Sequence, residues 1–225
     1  MLLVFDCDGV IVDSEIIAAE VEAELLTQAG YPIAAPELIR RFAGLTSREV
    51  AHAVETESGR PLPENFLADT AGEIDHRLAR DLKAVPGVHD VLDRLDGPRC
   101  VCSNSSAARL AISLKKTQLY DRFVPHIYSA VEVGTREPKP SPNVYRFAIA
   151  AFGVAPREAL VIEDSVYGVA AARGAGVRVI GFTGASHTWS GHADALTDAG
   201  AETVIRRLAD LPAVVAAMPG WEGIE

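Results

Sequence analysis

The feature that most constrains this chain is a series of short, unbroken apolar runs: residues 2–5 (LLVF), 99–102 (RCVC), 126–129 (HIYS), 160–162 (LVI) and 177–182 (VRVIGF). Runs this short suit strands buried on both faces, as in a parallel sheet. Helical patterns lie between them at 88–95, 107–116, 142–152 and 166–173. Such alternation implies βαβ units and a doubly wound α/β sheet. Ser141 with Pro142 is expected to cap one helix with Pro at its first position. Ser165 is expected to cap the next, which Gly174 and Gly176 can end.

Residues 15–83 break the alternation. They contain no buried run and divide into amphipathic helices at 15–29, 35–42, 47–57 and 65–82, separated by Gly30, Pro32, Gly44, Gly59, Pro61 and Pro63. The spacing predicts an all-helical domain at 15–84, inserted into an α/β core made of 1–14 and 85–225.

Composition narrows the function classes. The 225 residues are 48% hydrophobic and 23% charged, an ordinary globular balance. A net charge of −10 argues against general nucleic-acid binding, which needs a concentrated basic surface. It leaves room for a small phosphate pocket. Cys7, Cys100 and Cys102 sit in apolar runs and lack disulfide or zinc spacing, so buried thiols in a reducing compartment are expected. The leading MLLVFDCDG has no basic leader, and no stretch reaches membrane-spanning length. The expectation is a cytoplasmic protein, a monomer or weak dimer, with no membrane or nucleic-acid partner.

Four motifs carry chemistry, each at an expected strand or helix end. Asp6-Cys7-Asp8-Gly9-Val10 follows the first run. In open α/β sheets ligands bind beyond the carboxyl ends of strands, so two carboxylates there suit a nucleophile, an acid/base pair or metal ligation. Alone, the pair could equally be a solvated loop. Ile162-Glu163-Asp164-Ser165 ends another run. Adjacent acids repel unless compensated, and an oxygen-only set together with Asp6 and Asp8 suits Mg²⁺. Ser103 and Asn104, in Cys102-Ser103-Asn104-Ser105-Ser106, stand at a strand end that opens a helix, a simple phosphate cradle. Pro138-Lys139-Pro140-Ser141-Pro142 holds Lys139 in a stiff segment at the lip of the acid group, where it can grip a phosphate oxygen.

With these four motifs in this order, the chain resembles the haloacid dehalogenase-like hydrolases, in the branch with a helical cap. The resemblance implies a Rossmann-like core. It implies that Asp6 attacks phosphorus to form an aspartyl-phosphate. Asp8 would protonate the leaving oxygen and then activate water. Ser103 and Lys139 would hold phosphoryl oxygens. Mg²⁺ would be bound by Asp6, the backbone carbonyl of Asp8, and Asp164, with Glu163 as ligand or just behind. These roles meet the demands of phosphoryl transfer, which are in-line positioning and neutralised oxygens.

Members of that family differ in activity. Its dehalogenases work without a metal and lack the second aspartate, which is Asp8 here. The β-phosphoglucomutase-like members carry a cap histidine where this chain has Ala18. Asp13-Ser14-Glu15-Ile16-Ile17 and Val101-Cys102-Ser103-Asn104 are similar to bacterial 6-phosphogluconate phosphatases. The resemblance therefore implies hydrolysis of a small phosphorylated sugar or sugar acid. A phosphosugar mutase, a non-catalytic phosphate-binding or regulatory protein on the same fold, and a phosphoaspartate switch are the alternatives. Gly44-Leu45-Thr46-Ser47-Arg48 resembles the cap loop that reaches the site. Gly44 and Arg48 are accordingly substrate-binding candidates, as is Asn104 in the phosphate cradle, and Arg48 could bind a substrate oxyanion. Arg77 and Arg80 are expected to face solvent, and His187 and His192 to sit in a surface loop.

Overall fold

The computed structural model of the chain describes residues 1–42 and 45–218. In chain order its elements are β1 (Leu2–Phe5), α1 (Glu15–Gln28), α2 (Ala35–Phe42), α3 (Ser47–Ser58), α4 (Phe66–Asp81), α5 (Val88–Arg94), β2 (Arg99–Ser103), α6 (Ala107–Lys116), β3 (Ile127–Ser129), α7 (Asn143–Phe152), β4 (Ala159–Glu163), α8 (Val166–Gly174), β5 (Arg178–Phe182), α9 (His192–Asp198), β6 (Thr203–Ile205) and α10 (Leu211–Ala217). All six strands run parallel in the order β3-β2-β1-β4-β5-β6. Val4 of β1 pairs with Cys100 on one side and Val161 on the other.

Strand side chains alternate between two cores, as a period of two requires. Leu3, Phe5, Val101, Leu160, Ile162 and Ile180 join one, with Val91 of α5, Leu110 of α6 and Val215 of α10. Leu2, Val4, Cys100, Cys102, Val161 and Val179 join the other, with Tyr145 of α7, Val169 of α8 and Leu196 of α9. This two-sided cover explains why the runs contain almost no polar residue. The three cysteines are free and buried.

The chain order places the reversal of winding beside β1. From β1 the next strand in sequence, β2, lies on one side, and β4 lies on the other. Ligand crevices in such sheets open at this reversal, beyond the carboxyl ends. Ser103 and Glu163 end β2 and β4, and Asp6 follows the last residue of β1.

Helices α1 to α4 fill the stretch without strands. Ala23, Leu26, Leu38, Phe42, Val50, Val54 and Phe66 form their own core. Ile17 and Val21 of α1, with Ile74 and Leu78 of α4, pack instead into the core under the sheet. Thr46 begins α3 with a full capping box, its hydroxyl taking the Glu49 N–H while Glu49 takes the Thr46 N–H.

One local expectation needs correction, and three short elements carry no clear sequence signal. At α7 Pro142, not Ser141, occupies the cap position and makes no side-chain cap bond. The Ser141 hydroxyl still accepts the Asn143 N–H at 3.4 Å, one position further out. Strand β6 and helices α9 and α10 are the short elements. The strand has three residues, and each helix has seven, too short for a clear period. No described helix is long and apolar enough to cross a membrane.

Candidate active site

The backbone turns sharply as it leaves β1. Gly9 has φ +78°, a left-handed conformation that favours glycine. The turn is closed by Gly9 N–H donating to the Val12 carbonyl at 2.8 Å. It presents Asp6 and Asp8 beyond the carboxyl end of β1.

Lys139 organises the centre. It is not at the lip, as its proline-flanked segment suggested, but buried, its side chain 3% exposed. Its Nζ donates to Asp6 Oδ1 at 2.5 Å, Glu163 Oε1 at 2.7 Å and the Cys102 carbonyl at 2.9 Å. An ammonium has three donors, and all three are used. The Asn104 side chain fixes the backbone of this lysine, accepting the Lys139 N–H at 2.7 Å and donating to its carbonyl at 3.3 Å.

Glu163 is equally engaged. Oε1 accepts from Lys139 and from the Tyr145 hydroxyl at 3.2 Å. Oε2 accepts the Ser165 N–H at 2.8 Å and the Ser165 hydroxyl at 3.1 Å. The same Ser165 hydroxyl caps α8 by accepting the Gly168 N–H, as expected. A Cβ on Gly168 would stand 1.6 Å from Glu163 Oε1, so the helix closes on the carboxylate only because that residue is glycine.

Asp8 is held by hydroxyls. Ser14 donates to Oδ1 at 2.8 Å, and Ser103 and Ser105 donate to Oδ2 at 3.0 and 2.8 Å. Ser103 is buried and also accepts the Ser105 N–H. Ser14 and Ser105 escaped the sequence reading. The Ser-x-Ser spacing after the second run was the available signal for Ser105.

One ligand atom from each of Asp6, Glu163 and Asp164 lies within 4.8 Å of the others, all three residues buried. Desolvation, opposed by Lys139, raises the Asp6 carboxyl above the usual carboxylate range, and Glu163, Asp164 and Asp8 push the same way. Desolvation and the Glu163 charge raise Asp164 likewise. For Glu163 desolvation is outweighed by Lys139, and its carboxyl lies below the usual range. Burial opposes the lysine's charge, but Asp6 and Glu163 hold it well above its ordinary value. One ammonium therefore faces three buried acids, and an all-oxygen set short of positive charge fits a hard divalent cation.

Other candidates lie elsewhere. Arg48 is exposed in the first turn of α3, and no hydrogen bond or ion pair joins it to the acids among the described residues. Gly44 lies outside the described residues. Arg80 faces solvent as expected, with 61% of its side chain exposed. Arg77 does not: its side chain is 20% exposed and bridges Glu24 and Glu73. The two histidines also correct the surface-loop expectation. His187 Nε2 lies 2.9 Å from Asp164 Oδ2, and buried His192 lies against the Asp164 backbone. Tyr145, His187 and His192 reach the site from elements distant in sequence, and no motif signalled them.

Residues 3–182 match the family model described as haloacid dehalogenase-like hydrolase. The chain belongs to that hydrolase family. A 6-phosphogluconate phosphatase of Escherichia coli (strain K12) is 27% identical over 184 residues, covering 81% of this chain and 82% of its own length. A conserved haloacid dehalogenase-like protein of unknown function from Agrobacterium tumefaciens is 55% identical, with a TM-score of 0.91 and 96% and 98% of the two chains covered. A family hydrolase from Deinococcus radiodurans R1, solved with bound phosphate and sodium, is 31% identical at a TM-score of 0.81, covering 96% and 94%. Both solved haloacid dehalogenase-like structures match this fold over 96% of the chain.

Proposed function

We propose that this chain is a Mg²⁺-dependent phosphatase that hydrolyses a small phosphorylated sugar or sugar acid through an aspartyl-phosphate on Asp6. The observation that carries the reading is the buried Asp6–Lys139–Glu163 chain at the reversal point of the sheet. It provides a carboxylate and a fixed positive charge at one hydrogen bond's separation. The phosphatase name of the Escherichia coli relative and the phosphate held by the Deinococcus relative support it.

Lys139 takes Asp6 Oδ1 and leaves the second oxygen to attack phosphorus in line with the leaving oxygen. Its charge also lies where the equatorial phosphoryl oxygens gather, and Ser103 at the end of β2 lines the same edge. Asp8, two residues on, gives a proton to the leaving oxygen. It then takes one from the water that attacks the aspartyl-phosphate. Its three hydroxyl partners suit both tasks, because a hydroxyl donates to the ionised acid and can turn to accept from the protonated one. Asp6, Asp164 and the Asp8 carbonyl would hold Mg²⁺, with Glu163, committed to Lys139 and Ser165, behind them. The cation, when bound, would neutralise phosphoryl charge that Lys139 cannot cover alone.

The helical segment 15–84 is the lid over the core formed by 1–14 and 85–225. Its two crossings run side by side, with Asp13 N–H donating to the Lys83 carbonyl at 3.0 Å and Val85 N–H to the Ile11 carbonyl at 3.1 Å. Such a paired strip can flex as one hinge, and closure would exclude water. The lid excludes large substrates, and Arg48 on it meets the carboxylate of a sugar acid.

The purified protein should release p-nitrophenol from p-nitrophenyl phosphate with Mg²⁺ and not in excess chelator. It should release phosphate from 6-phosphogluconate. Full activity in chelator contradicts the metal assignment. Conversion of β-glucose 1-phosphate to glucose 6-phosphate, in place of phosphate release, contradicts hydrolysis.

A further inference from the structure

Asp164 is gripped by a segment that none of the four motifs contains. Residues 183–191 leave β5 and lead into α9, and they pack against both Asp164 and the turn after β1. Within them His187 approaches Asp164 Oδ2 with Nε2 at 2.9 Å, its side chain 10% exposed. His192, which opens α9, approaches the Asp164 backbone oxygen with Nε2 at 2.6 Å. One residue is thus held at side chain and main chain by two rings from a single segment.

The proton positions follow from the partners. A carbonyl oxygen only accepts, so His192 Nε2 carries the hydrogen. Trp189 stacks on the ring, centroids 3.7 Å apart and planes 14° from parallel, and resists its rotation. An ionised Asp164 likewise requires the hydrogen on His187 Nε2. The Nδ1 atoms of both histidines are buried without a partner. Asp164 is therefore the one hydrogen-bond partner of either ring among the described residues.

The rest of the segment is anchored for this approach. Ser186 donates its N–H to Asp13 Oδ1 at 3.0 Å and its hydroxyl to Asp13 Oδ2. That fixes the residue next to His187 on the strip that leads to α1. A Cβ on Gly9 would stand 1.9 Å from Asp164 Oδ2 and 2.8 Å from His187 Cε1. The glycine of the first motif thus leaves room for the Asp164–His187 pair as well as making the turn.

We propose that His187 and His192 are positioning residues that hold Asp164 in the orientation from which it ligates the divalent cation. The inference rests on the metal-dependent reading above. His187 takes one carboxylate oxygen and leaves the other for the ion, while His192 stops the main chain from shifting. Hydrogen-bond partners behind a metal ligand set its aim, and their loss costs about 10–100-fold in metal affinity.

The test is calorimetric titration of Mg²⁺ into the whole protein without substrate, beside thermal melting without metal. His187→Ala should weaken Mg²⁺ about tenfold. His187→Gln restores an N–H donor of similar reach and should recover most of that loss. His192→Phe keeps the stacked ring but loses the donor, and should also weaken the ion. Affinity within twofold of wild type in His187→Ala overturns the proposal; should that variant not fold, the same result in His192→Phe overturns it. Equal losses in His187→Ala and His187→Gln overturn it too, because the segment would then serve only packing. Wild-type protein that binds no Mg²⁺ overturns this proposal and the metal-dependent reading together, which separates that failure from the others.

Discussion

The charges at the sheet edge and those on the helical insert are held in opposite ways. Lys139, Asp6 and Glu163 are almost completely buried, and the lysine has no donor to spare. On the insert, Arg41 pairs with Glu37 and Glu57, Arg80 with Asp81, and Arg77 with Glu24 and Glu73, with 40–51% of each of those glutamate side chains exposed. Contact between insert and core includes one further pair of this kind, Arg109 of α6 with Asp75 of α4 at 2.6 Å. A buried pair cannot lose a partner cheaply, whereas an exposed pair is worth little. Rigidity is thus concentrated where oxygens must be aimed, and pairs of little worth lie on the segment proposed to move.

The sharpest way to break this contrast is to remove the buried cation. Lys139→Met leaves Asp6 and Glu163 without their ammonium and should destabilise the fold by about 3–5 kcal/mol in urea unfolding. A loss under about 1 kcal/mol would make the centre no stiffer than an exposed pair. Arg48→Ala tests the insert where it is assigned to substrate. It should weaken 6-phosphogluconate turnover through KM by about 1.5–3 kcal/mol, while p-nitrophenyl phosphate, which has no carboxylate, changes little. Equal losses on both substrates would show that Arg48 does not read a carboxylate. The smallest effect belongs to Arg109→Ala, which should cost no more than about 1 kcal/mol of stability. A larger loss would mean that insert and core are locked together rather than hinged.

The sheet was legible because strands covered on both faces must be apolar throughout. LLVF is buried at every position, and the run around residues 160–162 extends one residue each way into ALVIE, also wholly buried. The edge strand β6 (TVI), one residue of it exposed, gave no such signal. The convergence of Asp6, Asp8, Ser103, Glu163 and Asp164 was legible because each closes or follows a run, and parallel strands deliver those ends to one edge. Lys139 was found, but its depth was not: a proline-flanked lysine looks solvated until Glu163 and the Cys102 carbonyl are seen to receive it. The partners that fix the acids were hidden. Tyr145 is a helix residue that reads as core, and it reaches Glu163 only through the packing of α7 on the sheet. His187 meets Asp164 across 22 intervening positions, and that contact depends on how a loop folds back. Periodicity reports which face a residue lies on, and it carries no information on such meetings.

The proposed reaction depends on Asp6 taking the phosphoryl group. Acid-quenched turnover of p-nitrophenyl phosphate with Mg²⁺, followed by peptide mass spectrometry, tests it directly. One phosphoryl group is expected on the peptide containing Asp6, absent in Asp6→Asn, which should remain folded and lose turnover by more than about a thousandfold, roughly 4 kcal/mol. An Asp6→Asn protein that keeps a tenth of the wild-type rate, or a phosphoryl group trapped on another residue, would contradict it.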